Sequence, residues 1–219
     1  MRIAKIKVFL FGELSDKAKQ VAIENARQDN NMFSDYKYNV FEDAIAIAAL
    51  FGLDINEDNI LYSGFSSQGD GASYTGNYCY VAGALDKVKS YAPQDTNLHS
   101  IVEKLEQLQE KFNRELTVRI TRSRNSNYVN AYTMQFDLDY PNMNESFYPE
   151  DMKRADAIDN EIEKPFIDFA NWIYGQLQSA YEYEQSDEHI ADMLDNSASF
   201  EDIEYTENGK VFNDIYSED

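Results

Sequence analysis

Apolar positions along this chain change period several times, and each change marks an element. Residues 3–11 (IAKIKVFLF) alternate and then run continuously apolar, which predicts a strand. Ser15 is a side-chain N-cap and Asp16 favours the positive end of a helix, so a helix is predicted over 16–28. Phe41, Ala44, Ile45, Ala48 and Leu50 form a helical stripe within 36–51, closed by Gly52. Residues 59–65 and 73–82 read as strands joined at Gln68-Gly69-Asp70-Gly71, a hairpin with a glycine-rich connection.

Pro93-Gln94-Asp95-Thr96 starts a helix over 97–112, whose Leu98, Ile101, Val102, Leu105, Leu108 and Phe112 keep near-heptad spacing. That stripe serves either core packing or the seam of a homodimer. Strands are expected over 115–122 and 128–140, the second ended by Pro141. An acidic helix over 150–163 is interrupted by Pro165 and resumes over 166–183, with Phe166, Phe169, Ala170, Ile173, Leu177 and Tyr181 at core spacing. Ser186 caps a short helix over 187–195, and residues 200–211 close as a hairpin at Glu207-Asn208-Gly209. The order is irregular, so the fold class is α+β: an antiparallel sheet with several packed helices and an acidic helical C-terminal third. The organisation expected is a single domain over 1–212 and a frayed tail over 213–219.

Composition supports a folded chain. Of 219 residues, 43% are apolar and 14% aromatic, too much buriable surface for an acidic disordered segment. The single cysteine, Cys79, leaves no intrachain disulfide framework and suits a reducing cytoplasm. It is expected to be half-buried and inert. The apolar stretch in MRIAKIKVFLFGEL is too short and interrupted for a signal peptide or a membrane span.

Charge changes the picture more. Residues 137–219 carry 23 Asp+Glu against 4 Lys+Arg, a net of −19, while residues 1–136 carry 17 against 15, a net of −2. Anionic lipid and free nucleic acid would both be repelled. A dense field of carboxylates instead attracts proteins built to hold a phosphate backbone. Candidate partner-binding residues are Glu150, Asp151, Asp156, Asp159, Glu161, Glu163, Glu182, Glu184, Asp187, Glu188, Asp192, Asp195, Glu201, Asp202 and Glu204. Such acidity also serves plain solubility; confinement to one region is what favours mimicry of duplex DNA, which places one charge per roughly 1.7 Å of axis.

Catalytic and metal signatures break down one by one. The loop 63–76 offers Ser66, Ser67, Gln68 and Asp70 as a ligand or anion site. Gly69-x-Gly71 lacks the third glycine of a dinucleotide fingerprint, no P-loop lysine follows, and Gln68 stands where a nucleophile elbow needs glycine. Asp54-x-Asn56-x-Asp58 fails as a calcium loop because Asn59 and Phe65 occupy its glycine and glutamate positions. Asp137-x-Asp139 reads as an exposed sheet face, and His99, His189 and Cys79 show no ligand or dyad spacing. No metal, cofactor or catalytic residue is therefore expected. Arg119, Arg122 and Arg124 are read as internal partners of the acidic helices, with a phosphate or partner carboxylate as the alternative.

Three segments carry a resemblance. Glu13-Leu14-Ser15-Asp16-x-Ala18-Lys19, Tyr62-Ser63-Gly64-Phe65-Ser66-Ser67-Gln68-Gly69-Asp70-Gly71-Ala72 and Tyr91-Ala92-Pro93-Gln94-Asp95 are similar to an uncharacterised phage and prophage family often labelled antitoxin-like, over most of the chain to about residue 183. The resemblance implies a mobile element acting inside a bacterium and brings no catalytic residues. Together with the charge it gives the expected function: a non-enzymatic, DNA-mimicking inhibitor that occludes the nucleic-acid channel of a bacterial defence protein, a CRISPR effector or restriction complex. The alternatives are an antitoxin capping a basic toxin, and a ligand-binding or catalytic protein using the loop 63–76.

Overall fold

The computed structural model describes residues 6–28, 36–123, 128–140, 149–197, 200 and 202–212, with side chains for all of these except 149–155. The tail expected to fray, 213–219, lies outside the described residues, as do Arg124 and Glu201. The architecture is α+β, with six α-helices and six short strands among the described residues. The chain divides into two compact units, 37–178 and the pair of end segments 1–36 with 179–219.

The larger unit is built on a four-stranded antiparallel sheet of order β1 (Leu53–Asp54), β4 (Gly76–Tyr78), β5 (Thr117–Arg122), β6 (Met134–Asp139). Val118 faces Leu138 and Ile120 faces Phe136 across β5 and β6, so one sheet face is apolar up to the end of β5, where Arg122 stands opposite Met134. The other face is polar: Asp54, Asn77, Arg119 and Asp137 fall in one cross-strand row. A hairpin of β2 (Ile60–Tyr62) and β3 (Ala72–Tyr74) stands apart as a second sheet.

Helices α2 (Tyr36–Leu50), α3 (Ala84–Tyr91), α4 (Thr96–Lys111) and α5 (Pro149–Glu184) complete this unit, α5 continuing past its boundary. Every apolar residue of the near-heptad stripe in α4 is buried, so that stripe is core and not a dimer seam. Phe166 of α5 packs edge-on to Tyr78 at 5.0 Å between ring centroids, and Phe169 meets Phe51 at 5.0 Å.

Pro165 does not interrupt α5, which runs unbroken for 36 residues. A mid-helix proline costs about 3 kcal/mol. Ile162, Phe166, Phe169, Ile173 and Leu177 are all fully buried along one stripe spanning that proline. Each contributes about 1.5–3 kcal/mol, so burial outweighs the lost hydrogen bond.

In the smaller unit, α1 (Asp16–Arg27) starts at Ser15, whose hydroxyl accepts the Ala18 amide, and α6 (Asp187–Asn196) starts at Ser186, whose hydroxyl accepts the His189 amide at 3.2 Å. Ala18, Ala22 and Ile23 of α1 share a core with Ile190 and Leu194 of α6, Phe11, Leu14 and Tyr205. The strand expected over 3–11 is absent from its described part. Phe9 forms a single bridge to Tyr205, and residues Phe11–Glu13 then turn as a 3-10 helix. The Glu13 carboxylate accepts the Leu10 amide at 2.9 Å, which bends the chain and drops Phe11 into the core. The closing hairpin forms over a shorter span than expected: Tyr205 and Val211 pair in an antiparallel bridge across the turn at Gly209 (φ +78°), where the Thr206 amide donates to the Lys210 carbonyl at 2.8 Å.

Candidate functional site

The glycine-serine loop is a closed structural unit. Asp70 accepts the Ser66 amide at 3.0 Å and the Ser67 amide at 2.7 Å, so the loop's own carboxylate fills the nest that an external anion would need. The Ser63 hydroxyl donates to the Val129 carbonyl at 3.0 Å and accepts the Gly71 amide at 3.1 Å. The Asn130 side-chain amide donates to the Gly69 carbonyl at 2.8 Å. A Cβ on Gly71 would lie 2.5 Å from that of Asn130, which explains the glycine. Phe65 stacks on Tyr62, and the Tyr174 hydroxyl donates to the Gly64 carbonyl at 2.9 Å. Burial and the nearby Asp70 charge raise the Tyr174 phenol. Ser66, Ser67 and Gln68 stay exposed at the tip.

The acidic candidates fall in two groups. On α5, helical spacing puts Asp156, Asp159 and Glu163 on one side of the helix and Glu161 and Asp168 on another. The first side holds a small cluster: the Tyr140 hydroxyl donates to Asp159 at 2.9 Å, and Tyr140 is pushed up to about 12 by burial and by that carboxylate. Burial and Asp159 hold Glu163 above the usual carboxylate value. The second side is neutralised, since Glu161 pairs with Lys111 at 2.5 Å and Asp168 with Lys104 and Lys164 at 3.2 and 3.0 Å. Glu150 and Asp151 lie in the first turn of α5, where only the backbone is described.

The other group belongs to the smaller unit. On α6, Glu188, Asp192 and Asp195 repeat at i, i+4 and i+7, on the side opposite the buried Ile190 and Leu194. All three are exposed, and Asp192 accepts an amide hydrogen bond from Asn196 at 2.8 Å. Asp187 at the helix start pairs with Arg27, which also pairs with Glu24 and donates to the Gln185 carbonyl at 3.0 Å. Glu182, Asp202 and Glu204 are exposed and Glu184 is partly buried.

Between α1 and α6 the carboxylates of Asp16, Glu188, Asp192 and Asp195 rim a cleft of about 520 Å³ floored by Phe11, Ile23 and Ala191. The Lys19 ammonium lies over the Phe11 ring, 5.4 Å from its centroid. Phe11 and Lys19 carry no sequence signal as site residues, because the local pattern makes Phe11 a strand residue and their contact joins positions eight apart. In sequence Asp16 signals a helix start and nothing more.

Other candidates are settled by position. The described ion pairs of the acidic third use Arg27, Lys104, Lys111 and Lys164 rather than Arg119 or Arg122. Arg122 instead donates to the Asn59 carbonyl at 3.2 Å, and burial lowers its pKa. Cys79 is exposed, not half-buried, because it follows the last residue of β4. His99 contacts the Ala92 carbonyl through Nε2 at 2.8 Å. Among the described residues no group of three or more His, Cys, Asp or Glu could hold a metal ion, and no helix is long and apolar enough to cross a membrane.

Residues 36–187 match a family model described as Domain of unknown function (DUF8835). The chain belongs to this family. No curated protein and no solved structure matches it. The DUF8835 span contains the sheet and the glycine-serine loop, while α1 and α6 beyond Asp187 lie outside it. Charge is also redistributed by folding. The smaller unit carries 18 Asp+Glu against 7 Lys+Arg, a net of −11 on 77 residues, and the larger 22 against 12, a net of −10 on 142 residues.

Proposed function

We propose that this DUF8835 protein works by binding rather than by chemistry: it offers carboxylates to the basic nucleic-acid-binding surface of a bacterial protein and occludes it. A defence complex that handles DNA, such as a CRISPR effector or restriction enzyme, is the target class, in the setting of a phage or prophage. The observation that carries the reading is the exposed row Glu188, Asp192, Asp195 on α6, backed by a unit of net −11. Carboxylates on one rigid helix need no rearrangement to meet a row of lysines and arginines, and such pairing gives fast, steered association that weakens with salt. The occupied nest at Asp70 argues against the loop as an anion or catalytic site.

The test is competition. Purified chain is titrated into restriction and CRISPR effector complexes holding a labelled DNA duplex, at two salt concentrations. Displacement of the duplex that falls with salt, and is lost in the triple variant Glu188→Lys, Asp192→Lys, Asp195→Lys, supports the reading. Displacement that survives the triple variant overturns the role of this face.

A further inference from the structure

We infer that the cleft between α1 and α6 receives a single cationic side chain of the protein partner, with arginine preferred over lysine, and that Lys19 occupies this place in the free chain. The class of partner rests on the function proposed above; the cleft itself stands on geometry.

Phe11, Ile23 and Ala191 form an apolar floor, and the edge-on contact between Phe11 and Tyr205, 6.2 Å between centroids, fixes the ring. A cation already rests on that ring: Lys19, partly buried, at 5.4 Å from its centroid. The geometry of an occupied cation–aromatic site is thus present within the chain.

Above the floor, Asp16, Glu188, Asp192 and Asp195 border the cleft against the one positive charge of Lys19, so the cleft stays negative with its internal cation in place. Gly12 contributes space. A Cβ there would fall 2.8 Å from Oδ1 of Asp195, so the bare glycine lets this carboxylate come in beside Phe11. An apolar aromatic floor under a carboxylate rim matches a side chain with an apolar stem and a cationic head. About 520 Å³ stays open with Lys19 in place, the size of a ligand site.

The preference for arginine follows from hydration and shape. An ammonium is strongly hydrated and meets carboxylates as a point charge, whereas a guanidinium is planar, weakly hydrated, stacks on an aromatic face and binds carboxylates in pairs. Exchange of the internal lysine for a partner's arginine therefore gains contacts at constant charge.

The test uses the full chain and two capped probes, deca-arginine and deca-lysine peptides, with calorimetry for affinity and NMR of the Ile23 and Ala191 methyl groups for location. Deca-arginine should bind more tightly than deca-lysine by about two- to fivefold and shift both methyl signals. Lys19→Gln should tighten deca-arginine binding by a similar factor. Lys17→Gln removes the same charge from α1 at an exposed position outside the cleft, and should tighten it less. Equal effects of the two variants, or unmoved methyl signals, would overturn the inference by leaving only long-range attraction. If the peptide seats in the cleft yet the chain displaces duplex from no DNA-handling complex, the cleft stands and the proposed function falls. Displacement that is lost in the triple lysine variant but indifferent to Lys19→Gln has the reverse meaning.

Discussion

Trp172 donates its indole N–H to Oδ2 of Asp95 at 2.6 Å, while Oδ1 of the same carboxylate accepts the Leu98 amide at 2.8 Å. One side chain thus caps α4 and ties it to α5. Asp95→Ala should remove a cap worth about 1 kcal/mol and leave the indole unpaired, for a total loss of about 2–3 kcal/mol. Asp95→Asn keeps an acceptor for Leu98 but turns an amide toward the indole, so it should recover the cap alone. Trp172 is the only tryptophan, so urea unfolding followed by its fluorescence measures both variants. A loss below about 1 kcal/mol in Asp95→Ala would show that solvent replaces the carboxylate at both contacts.

The same substitution should act with opposite sign at two glycines. Gly209 has φ +78°, and a Cβ there would sit 2.0 Å from the carbonyl oxygen of Ala18. Gly209→Ala must therefore strain the turn or push it off α1, at a cost of about 2 kcal/mol. Gly175 lies inside α5 with no neighbour within 4 Å of the place a Cβ would take, so Gly175→Ala should stabilise the helix by about 0.5–1 kcal/mol. Thermal melts of the two variants should move in opposite directions.

Elements with a local signal were legible in the sequence. Ser15 and Ser186 cap the helices they were expected to cap, and the α4 stripe and the β5–β6 pair follow from their periods. Helix α3 gave no such signal, since it opens at Gly83 without a side-chain cap and spans eight residues. The failed N-terminal strand and the unbroken α5 share one cause: tertiary burial, of Phe11 in one case and of the stripe around Pro165 in the other, overrode the local rule. The candidate site divides the same way. The shared face of Glu188, Asp192 and Asp195 is readable from spacing, but the pairing of Asp187 with Arg27 and of Glu161 with Lys111 joins distant positions that no window contains. The asymmetry of charge between front and back takes another form in the fold: the chain's two ends share one unit, which carries −11 on 77 residues against −10 on the 142 of the larger unit.

Asp70 holds the tip of the glycine-serine loop closed. Asp70→Ala frees the Ser66 and Ser67 amides, which are exposed enough for water to replace much of the contact. The loss should be about 1–2 kcal/mol, and amide exchange at these two residues should accelerate while that of α4 does not. In the unmodified chain, inorganic phosphate should leave the melting temperature unchanged, since the nest is filled. A phosphate-dependent rise that appears only in Asp70→Ala would fit the same geometry; a rise in the unmodified chain that Asp70→Ala abolishes would instead make Asp70 part of a ligand site.

Glu163 sets a pH dependence whose sign is fixed. Burial and the Asp159 charge raise its folded-state pKa above the usual 4.5, so the folded chain holds this proton more tightly than the unfolded chain does. Below 4.5 both states are protonated and the group contributes nothing. As pH rises from there through the raised folded value, the unfolded state releases its proton first, and folding loses stability. Above that window the penalty is complete and constant. Glu163→Gln should therefore be more stable than the unmodified chain at neutral pH, and the difference should shrink to the bare effect of the substitution in acid. The subtraction matters, because protonating the other carboxylates relieves repulsion in both chains and cancels between them. Urea unfolding of the pair at steps between about pH 4 and 8 reads it directly: a Glu163→Gln variant less stable than the unmodified chain at neutral pH, with a deficit that fades in acid, would mean that Glu163 is held as a carboxylate by a partner, not raised by its surroundings.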